Sequence, residues 1–286
     1  MHHTAHLDPR RQCFHETIGR KPPPGGRLQG RRILVVGAGQ RTIDQDKPPI
    51  GNGRAISVLF AREGASVVCA DISESAAKQT CELIRDGGGT ATAALIDVAD
   101  VQSIGPLLNH CVAKMGGLDG LVMVVGVSSG LRLDEQTVQA WDHDFAVNVR
   151  SNMLFAQQAL RRLDAGASIV LVSSLTALRN FTLNPAYETT KAAQVALARA
   201  IAVAGQSQGI RCNTVLPGFI DTPLGRSAAK RRPDRAASPL PFGRQGTGWE
   251  VAYAALFLIS HESSYVNAHA LVVDGGFIGG VVLPPS

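Results

Sequence analysis

The chain has 286 residues, 45% of them hydrophobic and 18% charged, with a net charge of +5; that is globular composition, with length enough for a substantial core. The positive surplus is local, in Arg10, Arg11, Arg20, Lys21, Arg27, Arg31 and Arg32 and again in Arg226, Lys230, Arg231, Arg232 and Arg235, and neither cluster is interleaved with aromatics, which argues against a nucleic-acid partner. Cys13, Cys69, Cys81, Cys111 and Cys212 contain no CxxC pair and no apolar run approaches the roughly 18 residues of a membrane span, so a disulfide framework, a zinc knuckle and a membrane anchor are not expected and the cytoplasm is the expected compartment.

Residues 1–29 are polar and basic and are broken by Pro22-Pro23-Pro24-Gly25-Gly26. They should form a flexible extension, and the irregularly spaced His2, His3, His6 and His15 belong to that arm and not to a metal site. Residues 30–286 read as a single domain. Ile33-Leu34-Val35-Val36 is a short β-branched run leading into Gly37, the pattern of a buried parallel strand. A glycine-rich turn follows, then a helix from Arg54 to Glu63 and a second strand over 66–70 ending at Asp71. Ser73 caps a helix to about Arg85, and a third strand over 90–96 ends at Asp97. A helix over about 100–114 leads to a fourth strand, 121–125, before Gly126. Residues 137–163 read as one long helix, and strand 168–172 delivers Ser173 and Ser174. A helix from Pro185 to about Gly205, a strand over 210–216, a helix near 248–260 and a strand over 270–273 complete the pattern.

Strands alternating with helices imply an α/β fold, a Rossmann-type doubly wound parallel sheet of about seven strands with helices on both faces. Ligands bind such sheets at the carboxyl ends of the strands near the switch point. Gly37, Asp71, Asp97, Gly126, Ser174 and Pro217 all fall at those ends. Tyr187 and Lys191, four apart on one helix, share a face. A phenol is a poor base at neutral pH, and a neighbouring ammonium favours its ionised form.

From about Leu28 to Gly276 these residues resemble the short-chain dehydrogenase/reductase family. The motifs stand in order: the glycine turn, Asp97-Val98, Asn148 within Phe145-Ala146-Val147-Asn148, Ser174 thirteen residues before Tyr187, Tyr187-x-x-x-Lys191, Pro217-Gly218 with Thr222, and Asp274-Gly275-Gly276. The resemblance implies an NAD(P)-dependent oxidoreductase that interconverts a secondary alcohol and a ketone without a metal. Tyr187 would exchange the proton, Lys191 would lower the phenol's pKa and bond the nicotinamide ribose, Ser174 would hold the substrate oxygen, and Asn148 would anchor a water linking Lys191 to solvent. The implied cofactor residues are Gly37, Gly39, Gly51, Asn52, Gly53, Asp71, Ile72, Asp97, Val98, Gly126, Tyr187, Lys191, Pro217, Gly218 and Thr222. A homotetramer or homodimer through the long helices is implied as well, with 277–283 as a further contact.

Two stretches depart from the family pattern. Val36 replaces a threonine, and Gly37-Ala38-Gly39-Gln40 is separated from Gly51-Asn52-Gly53 by about ten extra residues, 41–50. With that segment looped out the glycines fall into register, and surface loops tolerate such insertions. Carrying Arg41, Lys47 and Pro48-Pro49, it reads as a conformational element beside the cofactor phosphates or as a neutral surface loop. Met123-Val124-Val125-Gly126 stands where the family has Asn-Asn-Ala-Gly, so apolar packing is expected to steady the floor of the site. Asp71 is placed to accept from the adenosine ribose and to repel a 2′-phosphate, so NAD(H) is preferred, with NADP(H) left open by Arg41 and Arg54. Residues 222–241 should form a substrate lid, and Ser128, Ser129, Asn180 and Phe181 line the expected pocket. Two other readings stand beside this one: a dinucleotide-responsive regulatory protein with little catalysis, favoured by the interrupted turn, and an enoyl-type reductase, disfavoured by the four-residue Tyr187–Lys191 step.

Overall fold

The computed structural model describes residues 26–43, 48–180, 183–231 and 240–281. The arm over 1–25, Phe181, Lys47 and the lid over 232–239 lie outside the described residues. Seven strands, β1 (Arg32–Val36), β2 (Ser66–Asp71), β3 (Thr90–Leu95), β4 (Gly120–Met123), β5 (Ser168–Val172), β6 (Arg211–Pro217) and β9 (Ala270–Val273), form one sheet in the order β3-β2-β1-β4-β5-β6-β9. Every neighbouring pair is parallel. The chain order reverses between β1 and β4, which makes their carboxyl ends the switch point.

Alternation along the strands sorts the core into two layers. Ile33 and Val35 of β1 face one cluster with α1 (Asn52–Arg62) and α8 (Gly248–Ile259), while Leu34 and Val36 face the other with α3 (Ile104–Met115), α5 (Ser151–Ala159) and α6 (Pro185–Gly205). The doubly wound expectation is met, with α2 (Glu74–Asp86) on the α1 side, capped by Ser73, whose side chain accepts from Ala76 N. The fold begins before residue 30: Leu28 is fully buried in the α1–α8 layer, and Leu28 N donates to Glu63 O at 2.8 Å.

Three differences from the sequence reading have local causes. The helix expected over 137–163 is α4 (Val138–Phe145) followed by a π turn, Ala146–Arg150, and then α5, which ends at Ala159. Strand β4 stops at Met123 instead of 125, because the segment after it is drawn away by side chains of the π turn, described below. Between β6 and α8 lie a two-residue parallel pair, β7 (Ile220–Asp221) with β8 (Gly246–Thr247), and a helix, α7 (Pro223–Arg231), none of which carries enough periodicity to be read from sequence.

At the amino end of the sheet, Arg211 of β6 is buried, and its guanidinium donates to the carbonyls of Leu258 (3.0 Å) and Ser260 (2.9 Å) and to Ser263 Oγ (2.9 Å). These acceptors close the carboxyl end of α8, where a cation complements the helix dipole. Burial, with the charge of Arg31 beside it, pushes Arg211 down to about 10, still charged at neutral pH.

Candidate active site

The turn after β1 is built for close approach. A Cβ on Gly53 would lie 1.8 Å from Gly37 O, and one on Gly37 would lie 2.9 Å from Val125 N across the switch point. Only hydrogen fits there, so α1 starts hard against the strand end. Gly51 at its N-cap offers no side-chain hydrogen bond and the first turn holds no acid, which leaves peptide N–H groups and the positive end of the helix dipole facing the cleft. Thr80 of α2 braces the turn by donating to Ala38 O at 2.9 Å. Gln40 and Gly51 stand side by side, with Gly51 N donating to Gln40 Oε1 at 2.8 Å, so segment 41–50 leaves and re-enters at one place.

Asp71, at the end of β2, is held by two backbone donors, Gly39 N to Oδ2 at 2.8 Å and Ser73 N to Oδ1 at 3.0 Å. Arg54, which with Arg41 left NADP(H) open, is tied to α2: its Nε donates to Thr80 Oγ1 at 3.0 Å and its Nη2 to Gln79 Oε1 at 3.2 Å. Arg41 is the one arginine or lysine among the described residues lining the cleft. That cleft has a volume of about 500 Å³ and is walled by Gly37, Gly39, Gly51, Asn52, Gly53, Asp71, Ile72, Asp97, Val98, Gly126 and Thr222 among others. The size lies within the range of small-molecule sites. Pro217 and Gly218 are not part of this wall; a Cβ on Gly218 would lie 2.7 Å from Asp274 Cβ, so that glycine serves the packing of β6 on β9.

Of the catalytic candidates, Lys191 and Asn148 stand behind Gly126, and none of Asn148, Ser174, Tyr187 and Lys191 is part of the cleft wall itself. A Cβ on Gly126 would lie 3.2 Å from Lys191 Nζ and 3.8 Å from Asn148 Oδ1. Lys191 is 3% exposed; its ammonium donates to Val172 O at 3.1 Å and sits 5.6 Å from the centre of the Tyr187 ring. Burial pushes it down to about 8. Ser174 starts a short turn over Leu175–Ala177, and its Oγ accepts from Thr176 N at 3.3 Å.

Asn148 occupies the π turn, where the register change aims its side chain at the segment after β4. Its Oδ1 accepts from Val127 N and its Nδ2 donates to Val127 O, both at 2.9 Å, while Nδ2 also donates to Thr190 Oγ1 at 3.0 Å. Its carbonyl accepts from Gln194 Nε2 at 2.8 Å and from Asn152 Nδ2. Both lone pairs of that carbonyl are taken, so a water on Asn148 has only the second lone pair of Oδ1 to bind. One turn earlier, buried Asp144 accepts from Ser129 N at 3.0 Å. The missing asparagines after β4 are therefore offset by hydrogen bonds as well as by packing of Val124, Val125 and Val127 against the two core layers.

Several contributors were not singled out from sequence: Asp144, Asn184, Thr190, Gln194 and Gln40. Asn184 had a signal, since an Asn followed by Pro at the first helical position marks a helix start. On the lid side Arg226 pairs with Asp221, with Nε to Oδ1 at 2.6 Å, so this part of its positive charge is already matched.

A doubly wound parallel sheet with a glycine-rich turn at a helix start and an acid at the end of the next strand, both at its switch point, is the arrangement of dinucleotide-binding α/β proteins. Residues 50–278 match the family model described as Enoyl-(Acyl carrier protein) reductase. The chain is 32% identical over 257 residues to 2,5-dichloro-2,5-cyclohexadiene-1,4-diol dehydrogenase of Sphingobium indicum, covering 89% of this chain and 99% of that one. It is 35% identical over 230 residues to cis-4-hydroxycyclohexanecarboxylate dehydrogenase of Sinomonas cyclohexanicum, covering 79% and 92%. A short-chain dehydrogenase/reductase double variant from Serratia marcescens superposes with a TM-score of 0.79 at 29% identity, covering 87% of this chain and 98% of that one. The chain belongs to the short-chain dehydrogenase/reductase family, and its class is that of oxidoreductases using a nicotinamide cofactor of the NAD(P) type.

Proposed function

We propose that this protein is an NAD(H)-dependent oxidoreductase interconverting a secondary alcohol and a ketone, with Tyr187 as general acid and base. The observation that supports the reading is that buried Lys191 has its ammonium beside the Tyr187 ring and behind Gly126, a residue of the cleft wall on which Asp71 also lies. The residues present fit the cofactor: the turn leaves no room for side chains where a pyrophosphate needs backbone, and Asp71 offers a carboxylate where the ribose hydroxyls need an acceptor. When bound, the nicotinamide supplies or accepts the hydride.

The protein's part is positional and electrostatic. Lys191, below its pKa at neutral pH, places a positive charge beside the Tyr187 ring and so stabilises the phenolate that takes the alcohol proton. In the reverse direction the phenol returns that proton to the developing alkoxide. Ser174 Oγ, fixed at the end of β5, orients the same oxygen. Segment 41–50 is read as a loop hung outside the glycine turn, with Arg41 at the cleft wall beside the phosphates. Both relatives described above are named as dehydrogenases of hydroxylated six-membered rings, and an alicyclic secondary alcohol is accordingly the first substrate class to assay. The four-residue Tyr187–Lys191 step weighs against enoyl reduction.

Tyr187→Phe is the direct test. Turnover of cis-4-hydroxycyclohexanecarboxylate, cyclohexanol and 1,4-cyclohexanediol with NAD should fall by about 10² or more, the scale of a lost acid–base catalyst, while NADH still binds in a fluorescence titration. Near-normal turnover would overturn the assignment. If neither form turns over any alcohol or ketone while NADH binds, the regulatory reading replaces it.

A further inference from the structure

Asn184 links two parts of the site that are far apart in sequence. It is 2% exposed and is the N-cap of α6. Its Oδ1 accepts from Tyr187 N at 3.3 Å, and its Nδ2 donates to Ser128 Oγ at 2.5 Å. The orientation of the carboxamide is fixed chemically, because a backbone N–H can only donate; the oxygen must face Tyr187 N and the NH₂ must face Ser128. Just before it, Leu183 has a φ of 53°. A bulky side chain in the left-handed region is strained, and such strain persists where the surroundings hold it.

Ser128 lies in the segment after β4, which is also held from the α4–α5 side: Asn148 holds Val127 from both directions and Asp144 holds Ser129 N. The same segment begins at Gly126, against Lys191 Nζ. Ser128 is its direct side-chain tie to the N-cap of α6, beside a longer route in which Asn148 Nδ2 donates to Thr190 Oγ1 and that hydroxyl donates to Tyr187 O at 2.8 Å. We propose that Asn184 is a positioning residue, which through Ser128 locks the Tyr187 turn to the floor of the cleft and so fixes the phenol relative to the Lys191 ammonium. The inference rests on Tyr187 acting as acid and base.

The test separates capping from bridging. Asn184→Ser keeps a good N-cap residue but is too short to reach Ser128, and Ser128→Ala removes the bridge from its other end. With the alcohols above and NAD, each variant should lose about tenfold in kcat with little change in KM for NAD, and Ser128→Thr should restore it. The double variant should be no worse than the poorer single, as expected for two ends of one interaction. The basic group seen in kcat/KM against pH should move upward, since a phenol displaced from the ammonium holds its proton more tightly. Hydrogen–deuterium exchange over 183–190 should accelerate in both single variants, a readout that needs no substrate. Unchanged kcat with unchanged exchange, or losses that simply add, would overturn the bridge. Tyr187→Phe is run alongside: if it is inert while Asn184→Ser matches wild type, the bridge alone falls, and if Tyr187→Phe turns over normally, the proton-transfer reading falls first.

Discussion

Burial lowers the Lys191 ammonium from 10.5 to about 8, and at 1.36 kcal/mol per unit the charged side chain costs about 3 kcal/mol of stability at neutral pH. That penalty is fully present below about pH 8, where folded and unfolded states are both protonated. It is relieved as pH rises from 8 to 10.5, where only the unfolded state still holds the proton. Lys191→Met should therefore raise the denaturant midpoint at pH 7 while removing activity, and its advantage should fade toward pH 10.5. A Met variant less stable than wild type at pH 7 would show that the bond to Val172 O, and not desolvation, dominates. Few residues divide stability from function so directly, since most buried charges are paired.

At the scale of elements, the two ends of the sheet have different work. The carboxyl ends of the strands carry the cleft, and the amino ends carry the Arg211 cluster that closes α8. Arg211→Met would leave the carbonyls of Leu258 and Ser260 and the hydroxyl of Ser263 without their charged donor, a loss of about 1–3 kcal/mol. Thermal unfolding should drop by several degrees with NADH affinity unchanged; a parallel loss of affinity would contradict the separation. The sequence made most of these elements legible, because apolar runs of four to six residues bounded by Gly, Asp or Ser specify buried strands by length and composition. It could not show the π turn, since Phe145 to Arg150 keeps a helical pattern and the extra residue per turn appears only in what Asn148 reaches. Nor could it show why β4 ends at Met123, which depends on hydrogen bonds from a helix 21 residues further on. Tyr187, Lys191 and Ser174 were legible as spacings, but their supports Asn184, Thr190 and Asp144 are polar residues of ordinary helical type whose partners are distant in the chain.

For the whole molecule, cofactor binding is linked to folding: a ligand that binds only the native state raises stability by RT ln(1 + [L]/Kd). If, as proposed, the Asp71 carboxylate held by Gly39 N accepts from the ribose while Arg54 stays committed to α2, NADH should shift thermal unfolding upward by more than an equal concentration of NADPH. The reverse order would make Arg41 a 2′-phosphate ligand and would refute the preference. The close pairing of Gln40 with Gly51 also has a bearing on how this chain can be altered. Since the Gln40 side chain accepts from Gly51 N, the two ends of segment 41–50 are held near each other, and the length between them is nearly independent of the turn itself. Doubling ten residues to twenty adds closure entropy of only about 0.6 kcal/mol. The bounds are Arg41 and Thr42, at the cleft wall, and Ile50, whose carbonyl lies 2.8 Å from a Cβ placed on Gly248. Between them foreign sequence should be accepted without rewriting the fold.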